Sequence, residues 1–189
     1  MRRIAIMAML AVLVACGSEN NETKSDSAAT ESLTPEQGKA KMLEDIAGLE
    51  KELTQNADLT QPLQKPKAMD LVRKYRDYAS INPRDSITPV YLFKAADLSI
   101  GLGNFEQAVG YLDNVLENHP NYDKRIEVML LKGFVYEYHM NQHAEAVRAY
   151  KDLINAYPNH RLAKDAQAAI DNLTLTEEEL LAKLKKAAE

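Results

Sequence analysis

The chain has 189 residues, 46% of them apolar, and a formal charge of −5, enough length for one domain with a sizeable core. Its 28 acidic residues outnumber 23 basic ones, and no lysine or arginine cluster interleaves with aromatics, which disfavours nucleic acid and anionic lipid headgroups as partners. A single cysteine, Cys16, excludes an internal disulfide.

In chain order, Arg2 and Arg3 precede a twelve-residue apolar run, Ile4 to Ala15. The run is shorter than the ~20 residues of a membrane-spanning helix, so residues 1–15 read as a signal segment. It closes on Leu13-Val14-Ala15-Cys16, which resembles the lipobox of bacterial lipoproteins. That resemblance implies that Cys16 is acylated, opens the mature chain, and anchors it in the outer membrane, facing the periplasm. Without Arg2 and Arg3, 21 basic residues face 28 acidic ones, a formal charge of −7. Residues 17–32 carry no large apolar side chain, so 16–33 reads as an anchor followed by a flexible polar tether.

From Thr34 onward helix follows helix. Thr34 as N-cap and Pro35 in the first turn start a helix whose stripe is Met42, Leu43, Ile46, Leu49 and Leu53. After a loop containing Pro62, a second helix begins near Pro66 and carries Met69, Val72, Tyr75 and Tyr78 to Ile81. Residues 89–122 then form a complete unit of two helices. Leu92, Ala95, Ala96 and Ser99 share one face, Leu102-Gly103-Asn104-Phe105 breaks the helix, and Ala108, Leu112, Val115 and Leu116 mark the next, closed by Pro120. Small Ala96 and Ala108 permit close approach, and Gly103 supplies the turn.

A second copy spans 126–159, with Gly133 and Tyr136 on its first helix and Tyr150, Leu153 and Ile154 on its second. Ala108 to Ala146 is 38 residues, as is Pro120 to Pro158. The spacing assigns three extra residues to Asp123-Lys124-Arg125, between the copies, and one to the tip near Tyr138–Asn141, where Asn141 replaces the turn glycine. Pro83 precedes Pro120 by 37 residues, so 34–83 reads as a degenerate first copy. A helix over 160–172 follows. Thr176 with Glu179 then opens an eighth helix striped by Leu180, Leu181 and Leu184, so 160–189 reads as a cap. No strand pattern occurs, and the fold class is all-α.

The unit at 89–122 and its echoes resemble tetratricopeptide repeats, whose period is about 34 residues. The repeat ends Asn118-His119-Pro120 and Ala156-Tyr157-Pro158-Asn159 resemble those of periplasmic repeat proteins of envelope complexes. The resemblance implies a right-handed stack of about eight helices in antiparallel hairpins, whose first helices line a groove for a partner protein's segment. Carried onto this chain, the groove candidates are Phe93, Lys94, Asp97 and Ile100, then Glu127, Leu130, Leu131, Phe134, Glu137 and Tyr138. The helix from Ile126 to Tyr138 is apolar almost all round. Burial by neighbouring helices accounts for Leu131, Phe134 and Tyr138 better than an aromatic-lined groove does, and both readings stand.

Chemistry is scarce. No phosphate loop, nucleophile elbow or dinucleotide fingerprint occurs, so the chain is read as a non-enzyme needing no cofactor. His139 and His143 have the spacing of a helical metal pair, but they straddle a helix break with no third ligand near. Tyr75, Tyr111, Tyr136 and Tyr150 fall at packing positions. The reading is a membrane-anchored scaffold for a protein partner in the bacterial envelope. The alternatives are a lipoprotein that binds a glycan or small ligand, and a self-assembling structural module.

Overall fold

The computed structural model describes residues 34–55 and 64–175, together with positions 179, 185 and 186, all within one compact unit, Leu33–Glu189. Among them are seven α-helices and no strand: α1 (Pro35–Gln55), α2 (Lys65–Ile81), α3 (Thr88–Gly101), α4 (Phe105–Asn118), α5 (Arg125–Phe134), α6 (His143–Ala156) and α7 (Arg161–Thr174). Cys16, the tether and the leucine stripe of the expected eighth helix lie outside the described residues.

Local chemistry sets the helix ends. Thr34 Oγ1 accepts from the Gln37 N–H at 3.3 Å while Gln37 Oε1 accepts from the Thr34 N–H at 2.9 Å, a reciprocal capping box. Gly103 turns the first hairpin at φ 80°, and Asn141 turns the second at φ 53°, the left-handed role expected of it. Between Phe134 and that turn, Val135–His139 winds as a π-helical turn, with the Met140 N–H reaching the Val135 carbonyl. A π-turn accommodates one extra residue without breaking the helix, and it overlaps the start of the 138–141 tip to which the spacing assigns one. Connections of equal length, 82–87 and 119–124, join α2 to α3 and α4 to α5 with matching turn hydrogen bonds.

Successive helices pack as antiparallel hairpins. Ala96 and Ala108 are fully buried where α3 meets α4. Gly133 does the same work for α5 and α6: a Cβ there would lie within 3.0 Å of three ring carbons of Tyr150. Leu112, Val115 and Val128 centre one apolar cluster and Tyr150, Leu153 and Ala166 another, with Leu116 packed against both. In the first, Tyr91 stacks on Tyr75 at 5.0 Å and meets Tyr78 edge-on at 5.1 Å between ring centroids. Of the four tyrosines expected in packing positions, Tyr75, Tyr111 and Tyr150 are buried and Tyr136 is half-buried.

Polar pairs tie the helices to their connections. The Lys39 ammonium reaches Asp85, whose carboxylate also accepts from the Tyr78 hydroxyl at 2.9 Å and the Ile87 N–H at 3.1 Å. The Lys39 hydrogen bond, then those from Ile87 and Tyr78, hold the Asp85 carboxyl at about 2, below its ordinary 3.8. A carboxyl held down in the folded state contributes stability above its unfolded pKa and loses it as pH falls through the folded value. The melting temperature is therefore expected to fall more steeply for wild type than for Asp85→Asn between pH 3.8 and 2, as read by circular dichroism. Parallel pH profiles would refute the assignment.

Candidate functional site

Two layers organise the surface. In one, the Lys94 ammonium on α3 meets Glu50 of α1 at 2.7 Å, Phe93 of α3 and Leu131 of α5 pack against one apolar cluster, and α5 touches α7, so α1, α3, α5 and α7 follow one another as neighbours. In the other, α2 and α4 wall common cavities. The candidate residues divide between packing and surface accordingly.

On α3, Phe93 is half-buried in the first cluster with its ring edge-on to Tyr122, centroids 6.4 Å apart, and Ile100 packs against the same cluster. Lys94 bonds Glu50, which also accepts from the buried Tyr75 hydroxyl at 2.6 Å. Burial pushes the Glu50 carboxyl up, but the hydrogen bonds from Lys94 and Tyr75 outweigh it and hold it below the usual carboxylate range. Lys94 is thus part of a fixed polar knot, with an electrostatic role that a sequence reading of Lys94 alone does not contain. Asp97, one helical turn on, is exposed.

On α5, Glu127, Leu131, Phe134 and Tyr138 recur at spacings of three and four and share a face. Glu127 is exposed; Leu131 is half-buried against the first cluster and Leu130 against the second. The burial favoured for the aromatics is overturned: Phe134 is 41% and Tyr138 65% exposed. The reason is that Val128, Met129 and Val135 fill the core-facing positions, leaving the other stripe outside. The two rings pack at 4.6 Å, His139 meets Phe134 edge-on at 5.6 Å, and Phe105 stacks on His139 at 4.7 Å. A patch of four rings therefore surrounds the π-turn. Sequence reasoning missed Phe105 and His139 as its members, because contact between a hairpin tip and the following repeat leaves no periodic signal.

Glu137 is not a free polar contact. Its carboxylate accepts from the buried Tyr150 hydroxyl at 2.7 Å, which locks α6 to the π-turn. Among the described residues no group of three or more His, Cys, Asp or Glu is placed to hold a metal ion, and no helix is long and apolar enough to cross a membrane. His160 caps α7, its Nδ1 accepting from the Leu162 N–H at 3.2 Å.

A layered stack of antiparallel hairpins defines a helical-repeat protein. More narrowly, residues 91–122 and 127–160 match the tetratricopeptide repeat family, and the described helices form an all-α, TPR-like stack of hairpins. This repeat is typically non-catalytic and mediates contact between proteins. No curated protein matches the chain.

Proposed function

We propose that this chain is a lipid-anchored, non-catalytic scaffold of the bacterial cell envelope. Cys16 carries the lipid, and the tether holds the repeat stack on the periplasmic side of the outer membrane. The open side of α3 and α5 binds a segment of a partner protein. Asp97 and Glu127 set the polarity of that side, Phe134 and Tyr138 supply its apolar anchor, and Lys94, Phe93, Ile100 and Leu131 form its floor.

One observation carries the binding reading. Two large aromatic rings, Phe134 and Tyr138, stand partly exposed and in mutual contact. Exposed, clustered aromatics are the groups around which protein interfaces concentrate their binding free energy. The anchor rests on the sequence Leu13-Val14-Ala15-Cys16.

The test is crosslinking in intact cells followed by affinity purification, comparing wild type with Asp97→Lys/Glu127→Lys and with Cys16→Ser. A defined partner is expected from wild type and lost from the charge-reversed variant, whose melting temperature stays unchanged. Cys16→Ser is expected in the soluble fraction. Equal recovery from both folded proteins would refute the face, and a membrane-bound Cys16→Ser would refute the anchor.

A further inference from the structure

The opposite layer carries a second feature, independent of the α3–α5 face. Between α2 and α4 lies a cavity of about 550 Å³ lined by Arg76, Arg84, His119, Asn114, Asn118 and Tyr111 among others, with no acidic residue in its wall. A neighbouring cavity of about 530 Å³ shares Arg76 and Tyr111 with it and adds Lys65, Arg73 and one acid, Asp70. In a chain where acids outnumber bases, this is a local reversal of charge.

The partners of those cations must be counted. Arg73 is bonded to Asp70 and Arg76 to Asp77 at 2.8 Å, whereas Lys65 and Arg84 have no ion pair among the described residues. The trough therefore keeps a positive surplus at both ends. Its floor holds an orphan: the Tyr111 hydroxyl is buried and has no hydrogen-bond partner. Tyr111 is 8% exposed and lines both cavities. A buried hydroxyl lacking a partner is destabilising unless something outside the fold supplies one.

Shape narrows the ligand. The cavities run beside α2, a 17-residue helix and so about 25 Å long, which is about seven residues of extended chain. We propose that the α2–α4 trough is a second interaction site that takes an extended acidic segment of a partner protein, with carboxylates against Lys65 at one end and Arg84 at the other and with Tyr111 donating its hydroxyl hydrogen to the bound chain. Guanidinium groups suit carboxylates through paired N–H donors, and the trough's asparagines can bond the peptide backbone.

The test is fluorescence anisotropy with the full-length chain and labelled hexaglutamate at low ionic strength. Hexaglutamine and free glutarate serve as comparison ligands. Saturable binding of hexaglutamate alone is expected. Lys65→Gln/Arg84→Gln should weaken it about tenfold or more, through loss of two charge-assisted contacts. Tyr111→Phe, which keeps the ring and hence the packing, should weaken it severalfold, and Phe134→Ala/Tyr138→Ala on the other layer should leave it unchanged. The proposal is overturned by absent binding, or by equal affinity in the Lys65→Gln/Arg84→Gln variant. It also fails if glutarate competes at the peptide's own concentration, or if Lys151→Gln/Lys164→Gln causes the same loss, since that would be general charge attraction.

Discussion

Gly133→Ala is expected to lower stability by about 1–3 kcal/mol, even though alanine is the better helix former by about 1 kcal/mol. The added Cβ would fall within 3.0 Å of three ring carbons of Tyr150. That ring is 2% exposed and tied by its hydroxyl to Glu137, so it cannot swing aside. Overpacking therefore outweighs propensity. Gly110, midway along α4, is the control, because it is exposed and a Cβ there meets nothing within 4 Å. Gly110→Ala should stabilise by about 0.5–1 kcal/mol. Urea denaturation with an unchanged m-value reads both. In a double-mutant cycle, Gly133→Ala and Tyr150→Ala together should cost less than the sum of the two alone. Additivity, or a Gly133→Ala variant as stable as Gly110→Ala, would refute the close contact.

The second large effect falls on binding. Phe134→Ala/Tyr138→Ala is expected to leave stability within about 1 kcal/mol of wild type, since neither ring is in the buried core. Truncating a fully buried aromatic costs about 3–5 kcal/mol, so the distinction is readily measured. The same variant should lose most of the partner recovered by crosslinking. Interface aromatics commonly cost about 2 kcal/mol or more on truncation, over tenfold in affinity. A large loss of stability would restore the core reading of this stripe. A stable variant with undiminished partner recovery would remove the aromatic patch from the binding face.

The comparison of Leu131 with Phe134 shows what periodicity leaves open. Both lie on one apolar helix, and the sequence marks both as inward or covered. Leu131 is half-buried, whereas Phe134 lies outside, because the neighbouring helices meet α5 along a different arc. Glu137 behaves in the opposite way. By composition it belongs to a polar surface, yet it serves a buried tyrosine on the next helix. Lys94 is likewise claimed by Glu50, 44 positions earlier.

By itself the sequence determined the all-α class, the hairpin periodicity, the two left-handed turns at Gly103 and Asn141 and the position of the inserted residue. These depend on near-neighbour chemistry: apolar spacing, capping side chains, and which residues tolerate positive φ. Only the tertiary structure decided which apolar stripe of α5 is buried, which charged groups are already engaged, and that α2 and α4 enclose a basic trough over the Tyr111 hydroxyl. Those outcomes depend on the relative rotation of whole helices, which brings together residues distant in sequence and has no local signature.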